Sequence, residues 1–321
     1  MGRAVTLVLT HPFDPTADYV VRELNRRGAP VFRCDPGEFP QRLSVAARLH
    51  GAGAGWVGRL RLPEREVNLS DIGCAYYRRP TVFDLAAGMG EQVRRWAAGE
   101  ARIGLGGVLS ALPRWLNHPA AIAAAEYKPV QLAHAHACGL AVPDTIVTND
   151  PDEAAKFVAH AGRAVYKPLT PAGITEADTH RVVFTTAVTV GDVDESIRLT
   201  AHLLQEWIEK RYEVRLTVVD DAFLAARIDA GSNAAAVDWR ADYEALTYTP
   251  LADVPAPVRG GVSALMGRLG LRFGTFDFIV TPDDRWIFLE INPNGQWAWI
   301  EDATGLPIAA SIADALTRGN R

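Results

Sequence analysis

Three cysteines occur in 321 residues, and Cys34, Cys74 and Cys138 include no CxxC pair. That count and spacing argue against both a disulfide framework and a zinc site. Long apolar runs are missing too, so nothing in the chain has the length of a membrane span. The opening AVTLVL gives way at once to the polar THPFD, too short for a secretory core and readable as a first strand; a cytoplasmic protein is expected. Positive charge is not in excess. With 33 Lys and Arg against 38 Asp and Glu, a formal charge of −5 and a pI near 5.9, the chain is a poor match for a nucleic-acid backbone. The sequence contains no GxxxxGK[ST], no HExxH and no GxSxG. His134 and His136, two apart on a helix, cannot share a face, so no metal role is assigned to them. Gly104, Gly106 and Gly107 lack a preceding strand and read as packing rather than a dinucleotide fingerprint.

What remains is an ordinary soluble composition, 48% apolar and 22% charged, on a chain long enough for two or three lobes. Strand and helix signals alternate, which favours an α/β architecture. The segment 4–10 reads as a buried strand and 16–28 as a helix with Thr16 as N-cap and Gly28 as stop. Further strands are expected at 30–35 and 73–80, and a long helix at 91–112. Three regions follow from the texture: 1–116, a small parallel-sheet lobe; 117–203, a mixed lobe with a helix break at Lys128-Pro129; and 204–321. In the last, 212–228 reads as a hairpin turning at Asp220-Asp221, and 229–250 as part of an irregular insertion.

The stretch FGTFDFIVTPDDRWIFLEINPNGQW, residues 273–297, poses the central question. Two runs of strand periodicity flank the turn residues Pro282-Asp283-Asp284-Arg285. If Thr281 and Trp286 close the loop, Val280 opposes Ile287, and three steps on Asp277 opposes Glu290. Opposed Cβ atoms lie about 4.5–5.5 Å apart, where two carboxylates repel unless something positive lies between them. Asn292 adds a neutral oxygen on the same face. Hard oxygens in this number suit Mg²⁺ shared with nucleotide phosphates better than a caged Ca²⁺. A solvated charged face is the alternative, and the apolar flanks weigh against it.

Cations for phosphate are available elsewhere. Lys128 stands at a Pro-led helix N-terminus, where the backbone itself favours anions. Lys167, in AVYKPL, sits at a half-buried strand end, a costly place for an unpartnered ammonium. Glu213 and Arg215 share a strand face by period-two counting, and a planar guanidinium fork suits phosphate or carboxylate. Arg78 and Arg79 follow a first-lobe strand; adjacent residues face opposite ways, so at most one points into a cleft. Either is otherwise a surface arginine.

The order of Lys128, the YKP of Lys167, QEWI at 205–208, YEVRL at 212–216, FDF and LEINPN resembles the ATP-grasp ligases. THPFDPTADYVVREL, YYRRP, NHPAAIAAAEYKPVQLAHA and PDTIVTNDP are similar, more specifically, to the graspetide or microviridin-type maturases of ribosomally made peptides. The resemblance implies an ATP-grasp fold of three lobes, with an N-terminal pre-ATP-grasp lobe and two α+β lobes enclosing the nucleotide. It implies that Asp277, Glu290 and Asn292 hold the Mg²⁺ of MgATP, and that Lys128 and Lys167 contact the nucleotide. Gln205, Glu206 and the main chain of Trp207 and Ile208 would form the adenine hinge, with Glu213 on the ribose and Arg215 on the phosphates. Arg78 or Arg79 would receive a substrate carboxylate. One departure is a lid segment, LTPAGITEADTH, with Gly173 as its single glycine.

By the same resemblance, an Asp or Glu side chain of a precursor peptide is activated as an acyl phosphate and captured by a Ser or Thr hydroxyl, or a Lys amine. The insertion, with Asp238, Trp239, Arg240, Tyr243 and Glu244, mixes aromatic anchors with charge as peptide-binding surfaces do. It is expected to receive the precursor's leader; a loop that only covers the sheet is the alternative. A homodimer is implied. The rival readings are a ligase adding a free amino acid to a carboxylate, and a non-catalytic nucleotide or peptide receptor.

Overall fold

The computed structural model describes residues 4–49, 55–170, 174–176, 179–181, 185–232 and 242–319. The chain begins with strand β1 (Val5–Leu9), helix α1 (Pro15–Arg26) and strand β2 (Val31–Cys34). Asp14, not Thr16, caps α1: its carboxylate accepts from the Ala17 N–H, and Pro15 takes the first helical position. A proline there presets the helical φ and has no N–H to satisfy, so the cap moves one residue ahead of it. Strands β3 (Ser44–Leu49), β4 (Trp56–Leu62) and β5 (Arg65–Asn68) form an antiparallel sheet, and β6 (Ile72–Tyr77) joins β1 in parallel. The parallel sheet runs in the order β2-β1-β6. The β3–β5 sheet was not expected from the sequence. Its apolar signal is diluted by arginines, yet Leu60, Leu62 and Val67 bury against Leu7, Leu9 and the Leu105 and Leu109 of helix α2 (Glu91–Ser110).

Two short helices, α3 (Pro119–Ala125) and α4 (Lys128–Ala137), lead onward. Then come β7 (Thr145–Thr148), α5 (Pro151–Ala161), β8 (Ala164–Lys167), the small hairpin β9 (Ile174–Glu176) and β10 (Thr179–Arg181), β11 (Thr186–Val188) and β12 (His202–Glu206). The sheet they build is antiparallel, ordered β11-β8-β12-β7.

The remainder is β13 (Tyr212–Val219), β14 (Ala222–Ala230), β15 (Leu246–Leu251), α6 (Ala256–Leu269), β16 (Phe273–Val280), β17 (Trp286–Asn292), α7 (Ala298–Thr304) and α8 (Ile308–Thr317). Their five strands run β15-β14-β13-β16-β17, all antiparallel. The end of the segment read as an irregular insertion is therefore a strand, β15, paired along β14. One face of this sheet is apolar: Val214, Leu216, Phe276, Phe278, Phe288 and Ile291 pack with Leu132 of α4 and Val262, Leu265 and Met266 of α6. Period two then turns Glu213, Arg215, Thr217, Thr275 and Asp277 to the other face.

A second core joins the first and last parts of the chain. Val8, Val20, Leu24 and Tyr76 bury with Trp297, Ile300, Ile312 and Leu316 from the C-terminal helices. Among the described residues no helix is long and apolar enough to cross a membrane.

Candidate nucleotide and metal site

Asp277 does oppose Glu290, but by a route the sequence did not reveal. Val280 pairs with Trp286 rather than Ile287, and the register shifts between Asp277 and Phe278. Leu289 is the extra residue. An unbroken ladder would set Leu289 against Asp277; the bulge passes over it and re-aims Glu290. It also explains how Phe288 and Ile291, three apart, both reach the apolar core.

The repulsion between the acids is met by separate cations. Arg215 Nη1 lies 2.7 and 2.8 Å from the two carboxylate oxygens of Asp277. Lys128 Nζ, at the first turn of α4, donates to Glu290 Oε2 at 2.9 Å. Glu213 is held by Lys210. Arg215, Asp277 and Glu290 are each 5% exposed, so these pairs sit where water screens them little. The donor set fits a Mg²⁺ ion shared with a nucleotide: two carboxylates face one another and Asn292 lies two residues along on β17. Among the described residues there is no cluster of three or more His, Cys, Asp or Glu that could hold a metal ion.

Lys167 ends β8 and is buried, its strand paired with β12 at Leu203. Gln205, also buried, donates to Thr145 Oγ1 at 2.9 Å. Glu206 binds the Asp144 N–H through its side chain, and the Trp207 N–H is taken by the Arg163 carbonyl at 2.8 Å. No hydrogen bond among the described residues uses the main chain of Ile208. The segment 207–211 links the four-stranded sheet to β13.

The two arginines separate cleanly. Arg78 is buried on Asp14, with Nε 3.1 Å from Oδ2 and Nη2 3.3 Å from Oδ1. Burial alone would push the Asp14 carboxyl up; Arg78, Thr10 and the Ala17 N–H outweigh it and hold it below its ordinary value. Arg79 is exposed, its N–H on Thr10 Oγ1 and its carbonyl on the His11 N–H. Its guanidinium is nonetheless partly desolvated by its surroundings, and that and the neighbouring Arg78 charge lower its pKa.

Several structural contributors escaped the sequence reading. Asn117 is buried with four partners: its amide donates to the carbonyls of Phe273 and Pro293, and its oxygen accepts from the N–H of Arg272 and Phe273. Gln131, one turn beyond Lys128, pairs with both main-chain groups of Ile291 at 2.9 and 3.0 Å. Because β17 is the sheet edge, Gln131 serves as the missing neighbour of the strand that carries Glu290. Its i+3 spacing from Lys128 was the available signal.

Asp238, Trp239 and Arg240 lie outside the described residues. Tyr243 begins a short 3₁₀ turn, Tyr243–Ala245, that enters β15, and Glu244 is exposed. A cavity of about 370 Å³, lined by Thr10, Asp35, Glu38, Arg42 and Arg65 among others, opens beside β1 and β2 and shares no residue with the acidic hairpin.

Against known proteins, residues 5–123 match the family model described as the MvdD pre-ATP grasp domain. A RiPP-associated ATP-grasp ligase of Chryseobacterium gregarium, solved with ADP and a leader and core peptide, superposes with a TM-score of 0.89 at 29% identity, over 98% of this chain and 97% of that one. The chain has the ATP-grasp fold, and its first part is similar to the MvdD pre-ATP grasp domain. The macrocyclase MdnC of Microcystis aeruginosa MRC, solved with the precursor peptide MdnA, gives a TM-score of 0.86, and MdnB of the same organism gives 0.80. Both are 29% identical, over 98% of this ATP-grasp chain and 100% of theirs. A comparison with curated proteins finds no significant match. The fold and the resemblance read from the sequence both hold.

Proposed function

We propose that this ATP-grasp protein is an ATP-dependent ligase that closes rings within a ribosomally made precursor peptide. The observation that carries the reading is the buried, opposed pair Asp277 and Glu290 with Arg215 and Lys128 beside them. The ligase and macrocyclase likenesses over nearly the whole chain support it.

In this reading Asp277, Glu290 and Asn292 hold Mg²⁺, which when bound would neutralise charge on the transferred phosphate. Lys128, Lys167 and Arg215 take the phosphate oxygens; Gln205, Glu206, Trp207 and Ile208 border the adenine, and Glu213 the ribose. A peptide carboxylate oxygen bonds to the γ-phosphorus as the bond to ADP breaks, giving an acyl phosphate. A Ser or Thr hydroxyl, or a Lys amine, then attacks the acyl carbon and phosphate leaves, so the peptide loses one water per ring. The chain supplies no covalent nucleophile; it holds the partners in line and stabilises charge. Arg79 is the better receiver of the substrate carboxylate. Arg78 is committed to Asp14, whereas an anion beside Arg79 would offset the desolvation and like-charge repulsion acting on its guanidinium. The segment around Asp238, Trp239, Arg240, Tyr243 and Glu244 is assigned to the leader.

Incubation with ATP, Mg²⁺ and the cognate precursor should remove one water per ring by mass spectrometry. Asp277→Asn and Glu290→Gln should each abolish that loss, and undiminished dehydration in either rejects the metal assignment. ADP release driven by a free amino acid without any precursor would favour amino-acid ligation instead.

A further inference from the structure

The turn after β17, residues 293–297, enters the space between the large sheet and the first sheet. Gln296 in this turn is gripped from three directions. Its side-chain Oε1 accepts from Arg78 Nη2 at 3.0 Å and from Thr16 Oγ1, while its main-chain oxygen accepts from Arg215 Nη2 at 3.1 Å. Arg78 also donates to the Gly295 carbonyl at 3.2 Å, and Asn294 returns a bond to the Arg78 carbonyl. An unbroken series of hydrogen bonds therefore runs from Asp14 through Arg78, Gln296 and Arg215 to Asp277.

We infer that Gln296 is a positioning residue: it fixes the guanidinium plane of Arg215, and through it Asp277, against the first domain. The inference rests on the assignment of Asp277 to the metal and nucleotide site. A guanidinium anchored through one nitrogen can swing about that contact, whereas anchors on two nitrogens fix its plane. Asp277 supplies the first anchor and the Gln296 carbonyl the second. That carbonyl is itself only as fixed as its residue, and the residue is pinned by the donors on its side chain. Both donors belong to the first domain, Thr16 on α1 and Arg78 just beyond β6, so the floor of the site takes its reference from the part of the chain that also presents Arg79.

The test uses the full-length protein with Gln296→Met, which keeps the length and loses the acceptor, and Gln296→Glu, which keeps an acceptor for Arg78 and Thr16. ADP affinity is measured by calorimetry with and without Mg²⁺, alongside thermal unfolding. Gln296→Met should weaken Mg²⁺-dependent ADP binding about tenfold or more, as loss of a ligand-orienting partner does, with a smaller change in metal-free binding; Gln296→Glu should stay close to wild type. Wild-type affinities in both variants would overturn the inference. So would equal losses in both, with and without metal, accompanied by a lowered unfolding temperature, since that pattern marks a structural role alone. If the wild-type protein shows no Mg²⁺-dependent ADP binding, the functional reading falls and this inference with it; if the wild type binds and the variants do not differ, only the inference falls.

Discussion

Gly295 has no room to be anything else. A Cβ placed on it would lie 1.8 Å from Thr275 Oγ1 and 3.0 Å from Thr275 Cβ, on a floor residue that is itself fully buried. Gly295→Ala should destabilise the fold by about 1–3 kcal/mol in urea unfolding, the usual cost of overpacking. Adding Thr275→Ala removes the nearer atom and should recover part of that loss, a coupling that a double-mutant cycle measures. The Asp14 and Arg78 pair gives a second test. The folded carboxyl titrates below its unfolded value, so its contribution is complete above the ordinary carboxylate range and is lost as pH falls through the folded pKa. Asp14→Asn leaves Arg78 buried without its counter-charge and should cost about 3–5 kcal/mol at neutral pH. The gap between variant and wild type should narrow as the solution is acidified.

At the scale of elements, β17 depends on a neighbour that is not a strand. Gln131→Leu would leave the Ile291 N–H and carbonyl without their partner, and each such buried group costs about 1–3 kcal/mol. Faster hydrogen exchange at the Ile291 amide, with the centre of β13 unchanged, is the expected result. The hairpin also marks the limit of what sequence can disclose. Alternation in 273–280 and 286–292 located both strands, and counting reached the right acidic pair, but from a closing residue one position off and with no place for the bulge at Leu289. The two departures compensate because a bulge adds a residue without leaving any compositional mark. Turn chemistry misled in a milder way at α1, where Pro15 moved the cap from Thr16 to Asp14. The strand β15 was hidden by the polar, weakly periodic stretch before it.

Across the whole molecule, the alternation of strands and helices disclosed the fold class, and the motifs named Asp277, Glu290, Arg215 and Lys128, which the structure pairs with one another. They could not disclose what holds the parts together. Trp297, Ile300 and Ile312 carry no local sign of their partners, yet they share a core with Val8 and Tyr76 some three hundred and two hundred positions earlier. Asn117 and Gln296 make their contacts over comparable separations, and no local pattern signals a partner so distant.

On the floor of the large sheet each acid has a basic partner of its own: Arg215 for Asp277, Lys128 for Glu290 and Lys210 for Glu213. Folding of the polypeptide should therefore not wait on the supply of divalent cations, unlike a small zinc domain whose ligands stay apart until the ion is captured. Protein purified in the presence of a chelator should melt at the same temperature as untreated protein, and Mg²⁺ without nucleotide should raise that temperature little; a large drop on chelation would mean that the acids need the ion to tolerate each other.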